Sequence, residues 1–425
     1  MARETNRHFK FDWTTIILFL MLAAFGWVNI LSASHSGPEM DYFNFSKPYG
    51  KQLIFICFTF ILIILILGID AKFYERFSSI IYIVSMCSLV GLFIFGKNVN
   101  GATSWYAIGN FTIQPSEFAK AATALAVAKY ISDLNTDIKR LKDQLQTFLI
   151  IIIPALLVLL QNDTGSTIVY AAFFFVLFRE GLPKTYLYIA LFVIVVAVFA
   201  LKFWTPLIIG IVAVICIILY FYNKKKAPLL QMLSIILVSA IIAFGVKFFY
   251  SNILKPHQQD RISLWLRLEK DPKKLEEMKR TFAYNLNESE KAISSGGFSG
   301  RGFMEGTRTT GKFVPEQHTD YIFSTVGEEW GFLGSALVVV LFVLLLLRIL
   351  HLAELQKNKF SRVYGYGVAS IIFMHFMINI GMVMGLIPTI GIPLPMFSYG
   401  GSGLWAFTIL LFIFIKLDAN RVNEW

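Results

Sequence analysis

The stretch VPEQHTDYIFSTVGEEW, residues 314–330, joins a polar run to the beginning of an apolar run long enough to cross a membrane. Its polar half carries Glu316, His318 and Asp320 at alternate positions, directly before the apolar residues. Asp320 is therefore expected at the edge of the bilayer, where a carboxylate costs free energy unless it is solvated, paired or used. The stretch predicts a membrane protein with a functional acidic group at the membrane surface.

Apolar residues make up 56% of the 425-residue chain, against roughly 45–50% in soluble domains. Apolar runs of about 17–25 residues recur along its whole length, which predicts an all-α polytopic membrane protein with about 12 transmembrane helices. No cleavable signal peptide is expected, because the first apolar run lacks a small-residue cleavage site. The predicted spans are residues 13–34, 53–69, 78–95, 116–131, 148–160, 165–178, 185–201, 206–222, 228–249, 321–347, 363–386 and 402–415.

The net charge of +11 comes from Lys and Arg clustered in short loops between apolar runs, which indicates membrane topology rather than nucleic-acid binding. These basic loops alternate with loops nearly free of Lys and Arg, so both termini are expected in the cytoplasm. The clusters include Arg3, Arg7 and Lys10 at the amino terminus and Lys224, Lys225 and Lys226 further on. Four polar stretches then share the outer side: residues 97–114, 161–164, 251–320 and 388–401. The cysteines lie inside apolar runs, so no disulfide or zinc site is expected.

The predicted organisation is a single integral membrane domain in three parts. Residues 1–249 form a first bundle of about nine spans, residues 250–320 one large extracytoplasmic loop, and residues 321–425 the last three spans. Within the loop, Asp271 is predicted to cap a short helix that begins at Pro272. Residues 294–310, rich in Gly, Ser and Thr, either bring backbone N–H groups close to an anionic ligand or form a flexible connector.

Ionisable residues at the ends of the spans are the candidate site residues. Glu117 and Lys120 lie three residues apart on one helix face and are expected to pair, either to orient the helix or to form a polarised cavity wall. Asp163 is expected to cap the following helix through the N–H of Gly165 or Ser166, or to face the same cavity.

Asp320 has two interpretations of the same kind. It would be satisfied as a helix N-cap, or it would act as a general base at a partly dry site. Residues 385–403, GLIPTIGIPLPMFSYGGSG, carry three prolines and no charge at an outer membrane edge. Irregular backbone at membrane depth is tolerated only where protein or water covers it, so this segment is predicted to line a cavity, with Ser398 and Gly400 as substrate contacts. His375 is expected to be a satisfied mid-helix histidine.

Seven stretches together resemble the SEDS family, the shape, elongation, division and sporulation proteins, over nearly the whole chain. They are NGATSWYAIG (100–109), QPSEFAK (114–120), QNDTGS (161–166), AISSGGFSGRG (292–302), FVPEQHTDYIF (313–323), NIGMVMGLIP (379–388) and GIPLPMFSYGGSG (391–403). The resemblance implies a peptidoglycan glycosyltransferase that polymerises lipid II on the outer face of the bacterial cytoplasmic membrane. It also implies work with a class B penicillin-binding transpeptidase and other proteins of the elongation complex. Gly306-Thr307 favours the elongation branch of the family, and the division branch is the alternative.

The resemblance also implies roles for single residues, and the chain departs from the family pattern in three places. The family's essential aspartate corresponds to Asp320, and its other acidic and basic site residues correspond to Glu117, Lys120 and Asp163. Asn162 stands where the family usually has proline, and Thr103 and Ser104 stand where basic residues are common. The phosphate contacts are therefore expected from Arg301, Arg308 or Lys312, and Asp163, Glu316 and His318 are further expected substrate contacts. The family has about ten spans, so two extra helices are expected within residues 185–249.

The predicted reaction is attack of an acceptor sugar hydroxyl on the anomeric carbon of the growing glycan, with Asp320 as the base. The departing undecaprenyl diphosphate needs positive charge, from Lys120, Arg301, Arg308 or a divalent cation, Mg²⁺ or Mn²⁺, although no metal motif is evident. These groups are predicted to converge in one pocket that opens outward. Two rival interpretations are a lipid II flippase, which leaves the length of its substrate unchanged, and a scaffold that only holds the transpeptidase.

Overall fold

The computed structural model describes residues 11–35, 44–99, 101–109, 111–222, 229–269, 271–281 and 284–421. The predicted topology signals at Arg3, Arg7, Lys10 and Lys224–Lys226 lie outside the described residues. The elements are α1 (Trp13–Ser34), α2 (Pro48–Gly68), α3 (Ala71–Phe95), β1 (Lys97–Val99), β2 (Ala102–Ile108), β3 (Phe111–Ile113), α4 (Pro115–Ser132), α5 (Leu141–Leu160), α6 (Thr164–Val169), α7 (Phe173–Arg179), α8 (Lys184–Lys202), α9 (Thr205–Tyr222), α10 (Leu229–Asn252), α11 (Pro256–Leu266), α12 (Pro272–Arg280), α13 (Tyr284–Ser295), α14 (Thr307–Thr310), α15 (Ile322–Glu329), α16 (Gly331–Glu354), α17 (Lys359–Val383) and α18 (Gly401–Asn420).

Within the described ranges, 10 helices are long and apolar enough to cross a membrane. They confirm the predicted helical multi-pass class, and the described residues add one small antiparallel sheet in the order β1-β2-β3. The other two predicted spans correspond to α4 and to Thr164–Arg179, a shorter apolar helical segment in which a 3-10 turn, Tyr170–Ala172, joins α6 to α7. The total of about twelve spans stays a prediction.

One compact unit comprises Met1–Leu182, Glu288–Met384 and Ile390–Trp425. Its inner helix is α4, which packs against α3, α5, α17 and α18. The apolar part of α4 is mostly alanine, and most of its side chains are buried by protein. Small residues let neighbouring helices approach closely, so the charged groups at the beginning of α4 are enclosed by protein rather than by lipid. This enclosure explains why α4 tolerates charge.

The second unit comprises Pro183–Asn287 and Gly385–Thr389. Its helices α8, α9 and α10 pack on one another around a small core, and their other faces expose apolar side chains, as expected for lipid contact. Asp271 caps α12 by accepting a hydrogen bond of 3.0 Å from the N–H of Lys273, with Pro272 at the first helical position, as predicted. The sequence predicted three parts of the chain, separated at residues 249 and 320, on the basis of membrane topology. The two compact units are defined by packing instead, so the three-part division stays a prediction.

The predicted single span over residues 321–347 is wrong, because the chain forms two helices that meet at Gly331. Gly331 has a φ of +63°, and a methyl group there would lie 2.3 Å from the backbone nitrogen of Gly300. The glycine-rich segment packs its backbone against this break, and the N–H of Arg301 donates to the carbonyl of Glu328 at 3.0 Å. Hydropathy does not register such a backbone contact. The segment is therefore a close-packed support for α15 rather than a flexible connector.

Candidate functional site

Two of the polar stretches predicted to share one side of the membrane meet near the beginning of α18 in the first unit. The N–H of Thr103, in the β2 hairpin, donates to the carbonyl of Gln161 at 3.0 Å. The hydroxyl of Ser402, at the beginning of α18, accepts from the N–H of Gln114 at 3.1 Å and donates to the carbonyl of Thr112 at 3.2 Å. These bonds bring the ends of α4, α5 and α18 together at one end of the helices.

A cavity of about 450 Å³ opens at this end of the first unit. We call it the central cavity. Its wall combines polar groups with the apolar side chains of α2 and α18, a composition suited to a ligand with a polar head and a lipid tail. Its polar lining residues include Lys51, Thr112, Gln114, Glu117, Thr319, Ser398, Tyr399 and Ser402.

Glu117 and Lys120 form the predicted pair, with Lys120 Nζ 2.7 Å from Glu117 Oε1. Both side chains are buried, and Lys120 Nζ also lies 2.7 Å from Nε2 of His375 on α17. The Lys120 ammonium is therefore held inside the protein by two partners. Lys51, which is exposed and lines the central cavity, offers a cation to a ligand there.

Asp163 caps α6, as predicted, because its Oδ1 accepts from the N–H of Ser166 at 2.9 Å. Its Oδ2 accepts from Gln114 Nε2 at 2.9 Å and from the hydroxyl of Ser116 at 3.3 Å. Since Gln114 lines the central cavity, Asp163 orients one of the cavity's polar groups as well as capping its own helix. The cap interpretation is confirmed, whereas Asp163 itself is not among the residues that line the central cavity.

Asp320 lies one residue before the N-cap position of α15, which is occupied by Tyr321. Its backbone carbonyl accepts from Asn379 Nδ2 at 2.8 Å, and Thr319 beside it lines the central cavity. A methyl group at Gly391 would lie 3.2 Å from Asp320 Oδ2, and one at Gly165 would lie 3.2 Å from the carbonyl of Gly391. Gly391 therefore separates the Asp320 carboxylate from the beginning of α6, the helix that Asp163 caps.

Residues 385–403, the segment predicted to line a cavity, form hydrogen bonds with the residues next to Asp320. The hydroxyl of Ser398 donates to the carbonyl of Thr319 at 2.6 Å, and the N–H of Tyr399 donates to the carbonyl of His318 at 2.9 Å. Ser398 and Gly400 both line the central cavity, as their predicted role requires. The irregular backbone is thus covered by protein on one side and by the cavity on the other.

Lys312, Glu316 and His318 line a second depression of about 290 Å³ together with Lys47. We call it the Lys47 cleft. Burial lowers the pKa of His318, and the nearby Lys312 charge lowers it further, while the Glu316 carboxylate opposes them. His318 is therefore expected to be neutral near pH 7.

Arg301 and Arg308 line a third, open depression of about 480 Å³. The Arg308 guanidinium pairs with Glu288, a carboxylate that it shares with Lys291. The backbone N–H groups of Arg308 and Thr309 each donate to the buried carboxylate of Glu328 at 2.8 Å. The anion expected beside the glycine-rich segment is therefore the chain's own Glu328.

The residues predicted as one site thus occupy three places. Among the described residues, Glu117, Ser398 and Gly400 line the central cavity, with Asp163, Lys120 and Asp320 beside it, whereas the loop residues line separate depressions. Lys51, Gln114 and Thr319 were not predicted as site residues, and His375 was predicted to be a satisfied mid-helix histidine. Within the described part of the chain, no three His, Cys, Asp or Glu side chains are close enough to share a metal ion. These side chains do not fit a metal site formed by protein alone.

In the described part of the chain, ten helices long and apolar enough to cross a membrane define a multi-pass membrane protein, whose enclosed ion pair lies beside a cavity with polar and apolar walls. The chain belongs to the FtsW, RodA and SpoVE family of cell cycle proteins, whose family model matches residues 12–209 and 205–423. This match confirms the predicted family.

Two curated relatives and one solved structure are similar over nearly the whole chain. Peptidoglycan glycosyltransferase RodA of Treponema pallidum (strain Nichols) is 29% identical, over 97% of this chain and 98% of the relative. Peptidoglycan glycosyltransferase MrdB of Escherichia coli (strain K12) is 31% identical, over 92% of this chain and 89% of the relative. A chain from a peptidoglycan synthase complex, described as coordinating polymerization and crosslinking, superposes with a TM-score of 0.73 at 23% identity, covering 97% of this chain and 99% of that one. At that identity, the structural match supports the fold.

Proposed function

We propose that this chain is a peptidoglycan glycosyltransferase that polymerises lipid II at the central cavity, with Asp320 as the general base. The enzyme class is the one that its curated relatives carry by name, which confirms the predicted class. The observation that supports the site is the convergence of Glu117, Asp163 and Asp320, from three distant parts of the chain, around one cavity end. Membership of the elongation branch rests on the same names.

Hydroxyl groups are weak nucleophiles, so the reaction needs a base within hydrogen-bond reach of the acceptor. In the proposed step, the acceptor hydroxyl oxygen forms a bond to the anomeric carbon of the growing glycan. The carbon–oxygen bond to the diphosphate breaks, and the hydroxyl proton passes to Asp320. Neighbouring Thr319 and Ser398 line the cavity, so the base lies next to the place where the acceptor would bind.

The departing diphosphate carries negative charge, and a cation that faces it would stabilise the transition state. Lys51 is better placed for this task than Lys120, because it is exposed at the central cavity while Lys120 is enclosed by Glu117 and His375. Any Mg²⁺ or Mn²⁺ would need the oxygen atoms of the diphosphate as ligands, since the described side chains form no cluster for it.

The proposed location is the cytoplasmic membrane, with both termini in the cytoplasm and the central cavity open to the outer side. The partner would be a class B penicillin-binding transpeptidase, which joins the glycan strands that this chain produces. The similar solved chain comes from a complex that couples polymerization to crosslinking, and this supports the partnership.

The test compares Asp320→Asn with Asp133→Asn, the same chemical change at an exposed turn after α4. Purified protein and its transpeptidase are incubated with lipid II, and glycan length is measured on a gel. The proposal expects long glycan from the wild type and Asp133→Asn and none from folded Asp320→Asn. Full activity of Asp320→Asn would refute the base role. If the wild-type protein translocated lipid II across the membrane without polymerising it, the glycosyltransferase proposal would be refuted and the flippase interpretation supported.

A further inference from the structure

His375 lies in the middle of α17 and is fully buried, with 1% of its surface exposed. Its Nε2 is 2.7 Å from Lys120 Nζ, and its Nδ1 is 3.4 Å from the carbonyl oxygen of Pro393. The ring meets Phe407 edge to face, with 4.8 Å between centroids. Pro393 and Phe407 both line the central cavity. One histidine therefore connects the buried ion pair to two elements of the cavity wall.

The two polar contacts of His375 require the same tautomer. A lysine ammonium has three donors and no acceptor, so Nε2 must offer its lone pair to Lys120. A carbonyl oxygen only accepts, so the ring proton belongs on Nδ1, facing Pro393. Neutral histidine with its proton on Nδ1 satisfies both contacts at once.

This arrangement leaves one oxygen of the Glu117 carboxylate unpaired. Oε1 of Glu117 receives the Lys120 ammonium, whereas Oε2 is buried and has no hydrogen-bond partner in the described part of the chain. A buried carboxylate oxygen without a donor costs free energy, and Glu117 lines the central cavity. The missing donor is therefore expected to come from the ligand.

The same face of α17 also reaches Asp320. Asn379, one turn after His375, donates to the carbonyl of Asp320 at 2.8 Å and to the carbonyl of Ile392 at 2.6 Å. His375 and Asn379 thus hold two adjacent carbonyl groups of the cavity segment, at Pro393 and Ile392. The same helix therefore contacts both Lys120, which pairs with Glu117, and the backbone of Asp320.

We propose that His375 is a positioning residue that acts through Lys120. It holds the ammonium over Oε1 of Glu117, so that Oε2 accepts a hydrogen bond from a hydroxyl or amide N–H of the sugar substrate. The identity of that substrate rests on the proposed function. The contacts from His375 to Lys120 and from Lys120 to Glu117 do not depend on it.

The kinetic test uses His375→Phe, which keeps an aromatic edge for Phe407 but removes the acceptor, and His375→Gln, which keeps an acceptor and a donor. Tyr364→Phe is the matched control, because it removes a buried hydrogen bond from the same helix, 3.0 Å to the carbonyl of Leu410. His375→Phe should lower kcat about ten- to hundredfold, the range expected when a substrate contact is misplaced. His375→Gln and Tyr364→Phe should retain most of the activity, and all three should unfold at similar temperatures.

A double-substitution cycle separates positioning from support of the fold. If His375 acts through Glu117, adding His375→Phe to Glu117→Gln should lower kcat no further. If the reductions in kcat of the two single variants multiply in the double variant, the inference is overturned. It is also overturned if the lower kcat of His375→Phe is accompanied by a lower unfolding temperature. If His375→Phe retained the wild-type kcat, the inference would be overturned but the proposed glycosyltransferase function would stand.

The tautomer provides a test that needs no activity. In protein carrying ¹⁵N-labelled histidine, the His375 ring signals are those that His375→Gln removes. The inference expects the proton on Nδ1 and a change in the Nε2 shift in Lys120→Met. A proton on Nε2 would overturn it even if the wild type polymerised lipid II. The expected tautomer in a wild type that made no glycan would refute only the proposed function.

Discussion

Replacing Gly391 by alanine tests whether the exact placement of the Asp320 carboxylate controls activity. Gly391 has a φ of +80°, and the added methyl group would lie 3.2 Å from Asp320 Oδ2. The left-handed backbone would cost about 1–2 kcal/mol of folding free energy. The carboxylate would also have to move by a few tenths of an ångström. Since a misplacement of about 1 Å costs about a hundredfold in rate, the expected loss of polymerisation is about three- to tenfold.

Gly101→Ala is the matched control. Gly101 has a φ of +88°, but a methyl group there would meet no atom within 4 Å. Both variants should therefore lose similar stability in thermal unfolding in detergent, while Gly391→Ala alone should lose glycan synthesis from lipid II. Equal activity of the two folded variants would refute the reasoning that ties the position of Asp320 to catalysis.

Two further predictions concern stability. Asp163→Asn keeps an acceptor for the N–H of Ser166 but loses the acceptor for the side-chain amide of Gln114. Thermal unfolding should therefore show that the free energy of unfolding falls by about 1 kcal/mol. Unchanged stability would contradict the role of Asp163 in holding Gln114. His318 has a folded-state pKa below 6.5, so below that pH the unfolded chain binds a proton that the folded chain does not, and stability falls as pH falls. His318→Gln should reduce the drop in unfolding temperature between about pH 7.5 and about pH 5.5, and an equal drop in both proteins would show that His318 is not buried as described.

The sequence predicted those features that depend on neighbouring residues. The span 13–34 agrees with α1 at both ends, because an apolar run and the capping side chain of Asp12 define it locally. The caps at Asp163 and Asp271 and the pair between Glu117 and Lys120 likewise need residues only two or three positions apart. Such contacts are set by helix geometry, and the sequence alone contains them.

The features that the sequence did not predict are contacts between distant segments. His375 lies 255 positions from Lys120, and nothing around it distinguishes a ligand of an ammonium from an ordinary buried histidine. A single lysine such as Lys51 near the beginning of an apolar run does not differ in sequence from an ordinary topology signal. The break at Gly331 depends on backbone packing against Gly300, which composition does not encode. Only the arrangement of the helices reveals which residues surround the cavity.

The central claim is that lipid II is polymerised in the central cavity from the outer side of the membrane. The direct measurement uses Thr112→Cys, at an exposed position of the cavity wall, in a chain whose exposed Cys57 and Cys87 are replaced by serine. A membrane-impermeant maleimide is applied to cells, and glycan synthesis by the purified protein is then measured. The account predicts that Thr112→Cys reacts from outside and loses polymerisation, while Asp133→Cys does not react and stays active. Complete labelling of Thr112→Cys with undiminished glycan synthesis would contradict it.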